Sequence, residues 1–471
     1  MNRFHRLEDY FVDPHGNNLE QAKKFLQSVL FMALDHAGSA STRPPTPKQD
    51  NRQELGDLFP VRGRSASDIE SALSDLIQNS ANPASPGWLG HMNSMSSIAS
   101  IAGDIVAASI DNNMLSYEMA PVLTELELAY AKQFARSFGL SSDAGGFLVG
   151  GGTIANIQAL MLAREDARRR TVGLSAQRMV VLASELAHVS IAKAVKVLGL
   201  GENGLISLPT DKSGRLCGAT VLTALQQLED ENVQPICLVA TAGTTSIGSI
   251  DPISEIASIA RKRGIWLHVD GAYGAAAHFS KAHEGKLAGI ELADSITFNP
   301  HKWFFVARNC AFLLLNNFGR LEDIFRIPLP YVRAGKTSNI GEYSIHGTQH
   351  ADVIKLFVTL QMMGQEGIEA LIDYGFERAR RVRNVVRSIP ILELLPNEDL
   401  NFVLFKFRLL TENQNTAILE KASLMLGLED NIHMTLQKFK GETWGRLIPM
   451  SPFVKDAVLD RAIRKIQRVV S

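Results

Sequence analysis

The sequence is poor in cysteine and carries no excess of charge of either sign. Its three cysteines, Cys217, Cys237 and Cys310, are odd in number and show no CxxC spacing. This argues against a disulfide framework and a zinc site, and it favours a reducing compartment. The 48 basic and 49 acidic side chains leave a net charge of −1, whereas proteins that neutralise nucleic-acid phosphates usually have a basic excess. We therefore expect a cytoplasmic protein with no metal site and no nucleic-acid partner.

Long hydrophobic runs are also missing. The best candidate, Ile98–Ile110, is short and contains Asp104, whereas a membrane-spanning helix needs about 18 or more apolar residues. Residues 1–13 mix charged and apolar side chains without an apolar centre, so we expect no secretory signal. Because 45% of the 471 residues are hydrophobic, the composition is typical of a soluble globular protein with a large core in two or three domains.

The hydrophobic pattern divides the chain into three regions. Residues 1–85 show helical spacing on both sides of a stretch rich in Pro, Ser and Thr at 39–52, which fits either a flexible linker or an arm packed on another subunit. After about residue 340 a helical pattern at 351–387 precedes an alternating strand at 401–407 and two further helices. We predict an N-terminal helical arm at 1–85, a large domain at 86–340 and a small α+β domain at 341–471.

The large domain has the alternation of an α/β protein. Short apolar runs are separated by amphipathic helical patterns, which predicts a mostly parallel sheet covered by helices on both faces. The runs lie at 146–150, 179–183, 205–208, 235–241, 265–269, 295–298 and 311–315.

Residues that could bind a ligand or take part in catalysis follow several of these predicted strands. Gly150, Gly151, Gly152 and Thr153 come between a strand and a helix, where glycines allow close approach and free amides favour an anion such as phosphate. The segment is neither a P-loop nor a GxGxxG fingerprint, and alone it is equally typical of a tight turn.

A carboxylate and a lysine follow two later strands. Asp270 comes directly after the run at 265–269 and precedes small residues that include Ala272, so a flat group could lie close to it. Lys302 follows the run at 295–298, where burial would lower the pKa of its amine and make it nucleophilic. The alternatives are a turn-capping aspartate and a surface lysine. However, ligands of α/β sheets lie outside the carboxyl ends of strands, where both residues are expected.

An imidazole and a group of hydroxyls complete the set. His188 follows the run at 179–183, and residues 241–246 offer three threonines and a serine at another strand end. Together these features fit pyridoxal phosphate. Lys302 would form a Schiff base, Asp270 would keep the pyridine nitrogen protonated, His188 would stack on the ring, and Thr153 with nearby amides would hold the phosphate.

Five segments resemble the group II pyridoxal-phosphate-dependent amino-acid decarboxylases, which include glutamate, cysteine-sulfinate, aromatic-amino-acid and diaminobutyrate decarboxylases. The segments are GGGTIAN (150–156), ELAHVSIAKA (185–194), ATAGTTSIGSIDP (240–252), WLHVDGAYGAAA (266–277) and FNPHKW (298–303). The resemblance covers the chain from about residue 86 to its end and implies a fold-type I α/β enzyme. It also implies a homodimer with active sites at the subunit interface and with residues 1–85 wrapped around the partner.

The resemblance assigns roles to individual residues. It makes Lys302 the cofactor-bearing lysine, Asp270 the partner of the pyridinium, and His188 the stacking residue. It adds further cofactor or phosphate contacts at Gly152, Thr153, Ile154, Ala155, Thr245, Ala272, Asn299 and His301, and substrate contacts at His91 and Arg446. A tyrosine on a mobile loop reprotonates Cα in the family; Tyr343 is the candidate here and Tyr331 the second.

The implied reaction is loss of CO₂ from an L-amino acid. Residues 112–121 are similar to the glutamate and cysteine-sulfinate branch, whereas residues 88–92 are closer to the diaminobutyrate branch, and we rank acidic substrates slightly first. Alternatives are an aminotransferase, a carbon–carbon lyase, a desulfurase or an oxidative deaminase on the same fold, and a cofactor-binding protein without turnover.

Overall fold

The structure, a computed structural model, describes residues 10–47, 58–93, 95–170, 178–332 and 338–469. The chain forms two compact units. The first comprises Met1–Leu89, Glu420–Met434 and Phe453–Ser471, and the second Gly90–Leu419 and Thr435–Pro452. The division into an arm, a large domain and a small domain remains a prediction.

The helices follow the predicted spacing closely. Those of the described residues are α1 (Leu19–Gly38), α2 (Ala66–Gln78), α3 (Ile98–Ile110), α4 (Pro121–Ser137), α5 (Gly152–Arg170), α6 (Val189–Val197), α7 (Gly218–Asp230), α8 (Ile253–Arg263), α9 (Pro300–Trp303), α10 (Arg320–Ile324), α11 (Val353–Arg387), α12 (Glu412–Asp430) and α13 (Asp456–Arg468). Helix α11 is broken at Gly364, whose φ of 61° lies in the left-handed region. Among these helices none is both long and apolar enough to cross a membrane.

A seven-stranded sheet forms the core of the second unit, which confirms the predicted α/β fold. Its strands are β1 (Gly145–Val149), β2 (Met179–Ser184), β3 (Leu205–Leu208), β4 (Gln234–Thr241), β5 (Trp266–Asp270), β6 (Ser295–Phe298) and β7 (Ala311–Leu315), in the order β1-β7-β6-β5-β4-β2-β3. Strand β7 is antiparallel to both its neighbours. Because helices cover both faces, most residues of these strands are buried; the exception is β3 at the edge of the sheet, where only Leu208 is buried. Continuous apolar runs therefore predicted these strands well.

A second sheet lies in the C-terminal part of the same unit. It is antiparallel, with the order β10-β11-β9-β8, and comprises β8 (Leu392–Leu394), β9 (Val403–Phe407), β10 (Thr435–Phe439) and β11 (Glu442–Leu447). The sequence predicted only β9. Lys440 and Gly441, with φ values of 49° and 81°, turn the hairpin between β10 and β11.

The parallel register of the large sheet brings the ends of three strands together. Thr241 at the end of β4 pairs with Asp270 at the end of β5, and Asp270 pairs with Thr297 near the end of β6. Residues that follow these strands therefore meet at one edge of the sheet, as expected for a ligand site in an α/β fold.

Glu127 offers a test of the packing of α4 against β1. It is buried, its Oε1 accepts the Leu148 N–H over 2.8 Å, and burial raises the pKa of its carboxyl from 4.5 to about 8. The group thus ionises in the unfolded chain before it does in the folded one, so its contribution to stability is lost as pH rises through this window.

Glu127→Gln removes this dependence and keeps the acceptor oxygen. Relative to the parent, the variant should gain on the order of 3 kcal/mol in free energy of unfolding between about pH 5 and about pH 8. Urea denaturation at both pH values measures the gain. A difference between variant and parent that stays the same at both would contradict the assignment.

Candidate active site

A cavity of about 330 Å³ lies at the carboxyl ends of β4, β5 and β6, entirely within the second unit. It brings together eleven of the residues singled out by the sequence: His91, Gly152, Thr153, His188, Thr245, Asp270, Ala272, Asn299, His301, Lys302 and Arg446. Its lining also includes residues that the sequence did not single out, of which Asn156 is the most connected. The predicted residues Ile154, Ala155 and Tyr343 are not part of the described lining.

Lys302 lies on α9, a single turn that begins directly after β6 with Pro300 at its first position. Its Nζ is 6.0 Å from the ring centroid of Tyr273, which stacks on Trp303 at 4.9 Å. Burial lowers the pKa of the Lys302 amine, Asp270 opposes the shift, and Arg308 adds to it. A lysine placed in this way loses its proton more readily than an exposed one and becomes a better nucleophile.

Asp270 ends β5 and is only 4% exposed. Its Oδ2 accepts a hydrogen bond from Asn156 Nδ2 over 2.9 Å, and its Oδ1 accepts the Ala272 N–H over 3.2 Å. Two donors stabilise the ionised carboxylate, as a buried charge requires.

His188 caps the N-terminus of α6. Its Nδ1 accepts the Ser190 N–H over 3.2 Å and lies 2.8 Å from Ser190 Oγ. Burial lowers the pKa of the imidazole, which favours the neutral form. Because Nδ1 accepts hydrogen bonds, the proton of the neutral ring is on Nε2. The site therefore presents a flat, uncharged ring.

The turn between β1 and α5 requires glycine at two positions, for backbone conformation at Gly151 and for the close approach of Asn299 at Gly152. Gly151 has a φ of 137°. A Cβ at Gly152 would lie 2.9 Å from Asn299 Nδ2. The N–H groups of Ile154 and Ala155 both donate to the Gly151 carbonyl, so the assignment of these two residues to the cofactor remains a prediction.

Two buried polar atoms of residues that line the cavity are suited to a bound ligand. Among the described residues, Thr241 Oγ1 and Asn299 Oδ1 are buried without a hydrogen-bond partner. Buried polar atoms are normally paired, so these two atoms fit a bound group with complementary donors and acceptors. His301 also lines the cavity. Its Nδ1 is 2.6 Å from the Cys310 carbonyl oxygen, and burial lowers its pKa to about 4.

Arg446 extends into the cavity from β11. Its guanidinium donates to the carbonyls of Thr245 over 2.7 Å and Gly90 over 3.1 Å, and to Thr435 Oγ1 over 3.0 Å. All its described partners are neutral, and burial lowers the pKa of the group to about 10, which leaves it charged at neutral pH. Burial and then Arg446 lower the pKa of His91.

The two candidate tyrosines lie outside this lining. Tyr343 is buried and donates to Glu322 Oε2 over 2.6 Å, and Tyr331 is exposed. Residues 333–337, which lie between the two tyrosines in the sequence, fall outside the described residues. The role of Tyr343 remains a prediction.

Two residues that the sequence analysis did not single out are Asn156, which lines the cavity, and His268, whose Nε2 lies 3.0 Å from Asn156 Oδ1. His268 and Asp270 are two positions apart on β5, and Asn156 is four positions after Gly152 on α5. Residues at these spacings share a face of a strand or a helix. The periodicities therefore could have placed His268 and Asn156 beside residues that had been identified.

Known proteins resemble the chain in sequence and in structure. Residues 50–408 match the model of a family described as the pyridoxal-dependent decarboxylase conserved domain. The L-2,4-diaminobutyrate decarboxylase of Rhizobium meliloti (strain 1021) is 33% identical over 318 residues, or 65% of this chain and 62% of that protein. The chain thus spans less than two thirds of the length of this curated relative.

Two solved structures have the same fold. Oryza sativa TDC with PLP and tryptamine superposes with a TM-score of 0.91 at 22% identity, covering 98% of this chain and 99% of that one. Mouse CSAD in its apo form has a TM-score of 0.89 at 23% identity, covering 95% and 98%.

Proposed function

Because the chain belongs to the pyridoxal-dependent decarboxylase family, we propose that it removes the α-carboxylate of an L-amino acid and releases the amine and CO₂. The observation that carries this proposal is the convergence of Lys302, Asp270 and a neutral His188 on one cavity. These are the groups that the sequence assigned to the cofactor.

The cavity fits pyridoxal phosphate. Lys302 would hold the cofactor through its amine, and Gly152, Thr153 and Asn299 would bind the phosphate. When bound, the cofactor supplies a carbonyl that reacts with amines and a ring that accepts electrons from a carbanion. The unpartnered Thr241 Oγ1 and Asn299 Oδ1 support this fit.

The side chains of the chain have separate tasks in this proposal. Lys302 Nζ can lose its proton because burial lowers its pKa. Asp270 keeps a negative charge in a buried position, where it stabilises a proton on the ring nitrogen of the ligand. His188 orients the flat ring without adding charge. Arg446 binds a carboxylate of the substrate.

The charges of the cavity support an acidic substrate. Within the described part of the chain, Asp270 is the only carboxylate of the lining, and two donors already engage it. Arg446 and His91 provide a cation and a hydrogen-bonding imidazole. A second carboxylate on the substrate would find complementary groups here, whereas a second ammonium would meet positive charge. We rank aromatic substrates below acidic ones.

Diaminobutyrate is the second candidate substrate. The observation that favours it is the relative that is 33% identical over 318 residues and is an L-2,4-diaminobutyrate decarboxylase. One or two residues of a pocket can change side-chain recognition, so substrate choice needs a direct measurement.

A substrate panel tests the reaction and the substrate together. Purified protein with added pyridoxal phosphate is incubated with L-glutamate, L-cysteine sulfinate, L-aspartate, L-2,4-diaminobutyrate and aromatic L-amino acids, with Lys302→Ala as the blank. We expect CO₂ and the matching amine in equal amounts, with kcat/KM at least about 10-fold higher for an acidic substrate than for diaminobutyrate.

Other products identify the alternatives. A keto acid without CO₂ indicates an aminotransferase, CO₂ with an aldehyde indicates oxidative deamination, and cleaved side-chain fragments indicate a carbon–carbon lyase. Sulfide from cysteine indicates a desulfurase, although all three cysteines are described and none lines the cavity. No product from any amino acid would leave cofactor binding without turnover and refute the proposal.

We propose that the protein is a homodimer with active sites at its interface. This is supported by apolar side chains that are exposed along α3 and the start of α4, namely Ile98, Ile105, Val106, Ile110 and Val122.

Two further expectations from the sequence remain proposals. Tyr343 returns the proton to Cα, and the protein is cytoplasmic.

A further inference from the structure

Asn156 makes hydrogen bonds with every polar atom of its side chain. It lies on α5 and is only 1% exposed. Its Nδ2 donates to Asp270 Oδ2 over 2.9 Å and to Ser190 Oγ over 2.8 Å. Its Oδ1 accepts from His268 Nε2 over 3.0 Å and from Thr297 Oγ1 over 2.6 Å. An amide with both donors and both acceptor positions in use can hold only one orientation.

The orientation of the Asn156 amide is determined by the hydrogen-bonded groups that lead to its Oδ1. Trp266 Nε1 can only donate, and it does so to Ser295 Oγ over 2.8 Å. Ser295 Oγ lies 2.9 Å from His268 Nδ1 and is free to donate its own hydrogen there. Burial lowers the pKa of His268 to about 4, so the ring is neutral with its proton on Nε2. That proton faces Asn156, which must present its oxygen to it.

The amide nitrogen of Asn156 affects two residues of the cavity, Asp270 directly and His188 through Ser190. One amide hydrogen goes to the Asp270 carboxylate, which favours its ionised form. The other goes to Ser190 Oγ, whose own hydrogen is then available for His188 Nδ1. The Ser190 N–H also donates to this nitrogen. His188 therefore keeps its proton on Nε2.

We propose that Asn156 is a positioning residue that maintains the charge of Asp270 and the tautomer of His188 at the same time. Its effect passes through these two side chains to the ring of the cofactor, so the inference rests on the proposed function. It does not depend on which amino acid is the substrate.

Asn156→Asp tests the proposal because it changes one atom group and gives a distinctive pH profile. The new carboxyl would share one proton with Asp270, since two carboxylates at 2.9 Å do not both ionise readily. With that proton, its O–H replaces the N–H donor to Asp270, whereas the N–H donor to Ser190 Oγ is lost in either state. Without that proton, two negative charges face each other. The other ionisable groups around this position are His268 on β5, His188 at the start of α6 and Lys302 on α9.

Two readouts follow this change, and neither needs an amino-acid substrate. The apoprotein is titrated with pyridoxal phosphate, and the visible spectrum of the bound cofactor is recorded from about pH 5.5 to about pH 8.5. We expect the variant to bind about 10- to 100-fold more weakly than the parent at high pH and to approach the parent at low pH. An affinity ratio that is constant across this range, or within twofold of the parent throughout, overturns the proposal.

Asn415→Asp is the matched control. Asn415 is also buried, its Oδ1 accepts the Phe407 N–H over 3.0 Å, and its Nδ2 donates to the Thr443 carbonyl over 2.7 Å. It lies away from the cavity, so this variant should show the cofactor affinity and spectrum of the parent at each pH. An equal pH-dependent loss in the control would assign the effect to general damage and overturn the proposal.

Thr297 provides a second test if Asn156→Asp does not fold. Thr297→Val keeps the shape but removes one donor to Asn156 Oδ1, and Thr297→Ser retains that donor. Loss of one hydrogen bond should weaken cofactor binding about 3- to 10-fold in the valine variant, with recovery in the serine variant. Equal affinities of the two variants would contradict the proposed role. Since no turnover is measured, failure of the decarboxylase assignment would be seen separately, in the substrate panel.

Discussion

Lys302→Ala is expected to lower kcat by roughly 10³-fold or more, because no other described lysine lines the cavity to replace the lost amine. The variant should also lack the visible absorbance of lysine-bound cofactor after incubation with pyridoxal phosphate. Absorbance spectra and CO₂ release on the best substrate of the panel measure both effects.

Two further variants complete this experiment: one separates nucleophilicity from charge at position 302, and the other is a control at an exposed lysine. Lys302→Arg keeps a positive charge at the same place but does not lose its proton, so it should be as inactive as the alanine variant. Lys262→Ala removes an exposed lysine in the last turn of α8 and should behave like the parent. If Lys302→Ala binds the cofactor with unchanged absorbance, the assignment of this residue is wrong.

Asp270→Asn should lower kcat by roughly 100-fold while the protein still binds the cofactor. The amide has almost the same shape as the carboxylate, but its single oxygen can accept from only one of the two donors, Asn156 Nδ2 or the Ala272 N–H. It also lacks the negative charge that stabilises a proton on the ring nitrogen of the ligand. The expected result is therefore a loss of turnover that exceeds the loss of affinity.

The comparison of kcat with cofactor affinity is the measurement that matters for Asp270. Asp270→Glu keeps the charge on a longer side chain and should retain more activity than the asparagine variant. Full activity of Asp270→Asn would show that the negative charge has no part in the reaction. An equal loss in both variants would show that position, rather than charge, is what the reaction requires.

The large sheet could be predicted from sequence because its strands are buried on both faces. The runs at 295–298 and 311–315 coincide with β6 and β7, in which every residue is buried. The small sheet was harder: β10 alternates apolar and polar residues weakly and is only partly buried. β8 is too short to show a period. A pattern that depends on burial weakens when half of the strand faces water.

The candidate site was predictable where a residue directly follows a strand. Asp270 and Lys302 were found in this way, and the motifs around them indicated the family. Asn156 was missed because its importance comes from four hydrogen-bond partners on three other elements. The helical spacing from Gly152 indicates the face on which Asn156 lies, but it does not indicate these four partners.

The sequence by itself determined that this is a cysteine-poor, nearly neutral α/β chain with the residues needed to bind pyridoxal phosphate. The order of apolar runs and the residue types at their ends are properties of the chain alone. Only the tertiary structure decided which of these residues lie together and in what chemical state. Burial lowers the pKa of Lys302 and His188, and the hydrogen bonds of Asn156 orient their neighbours. Both depend on groups far apart in sequence that meet only when the parallel strands align.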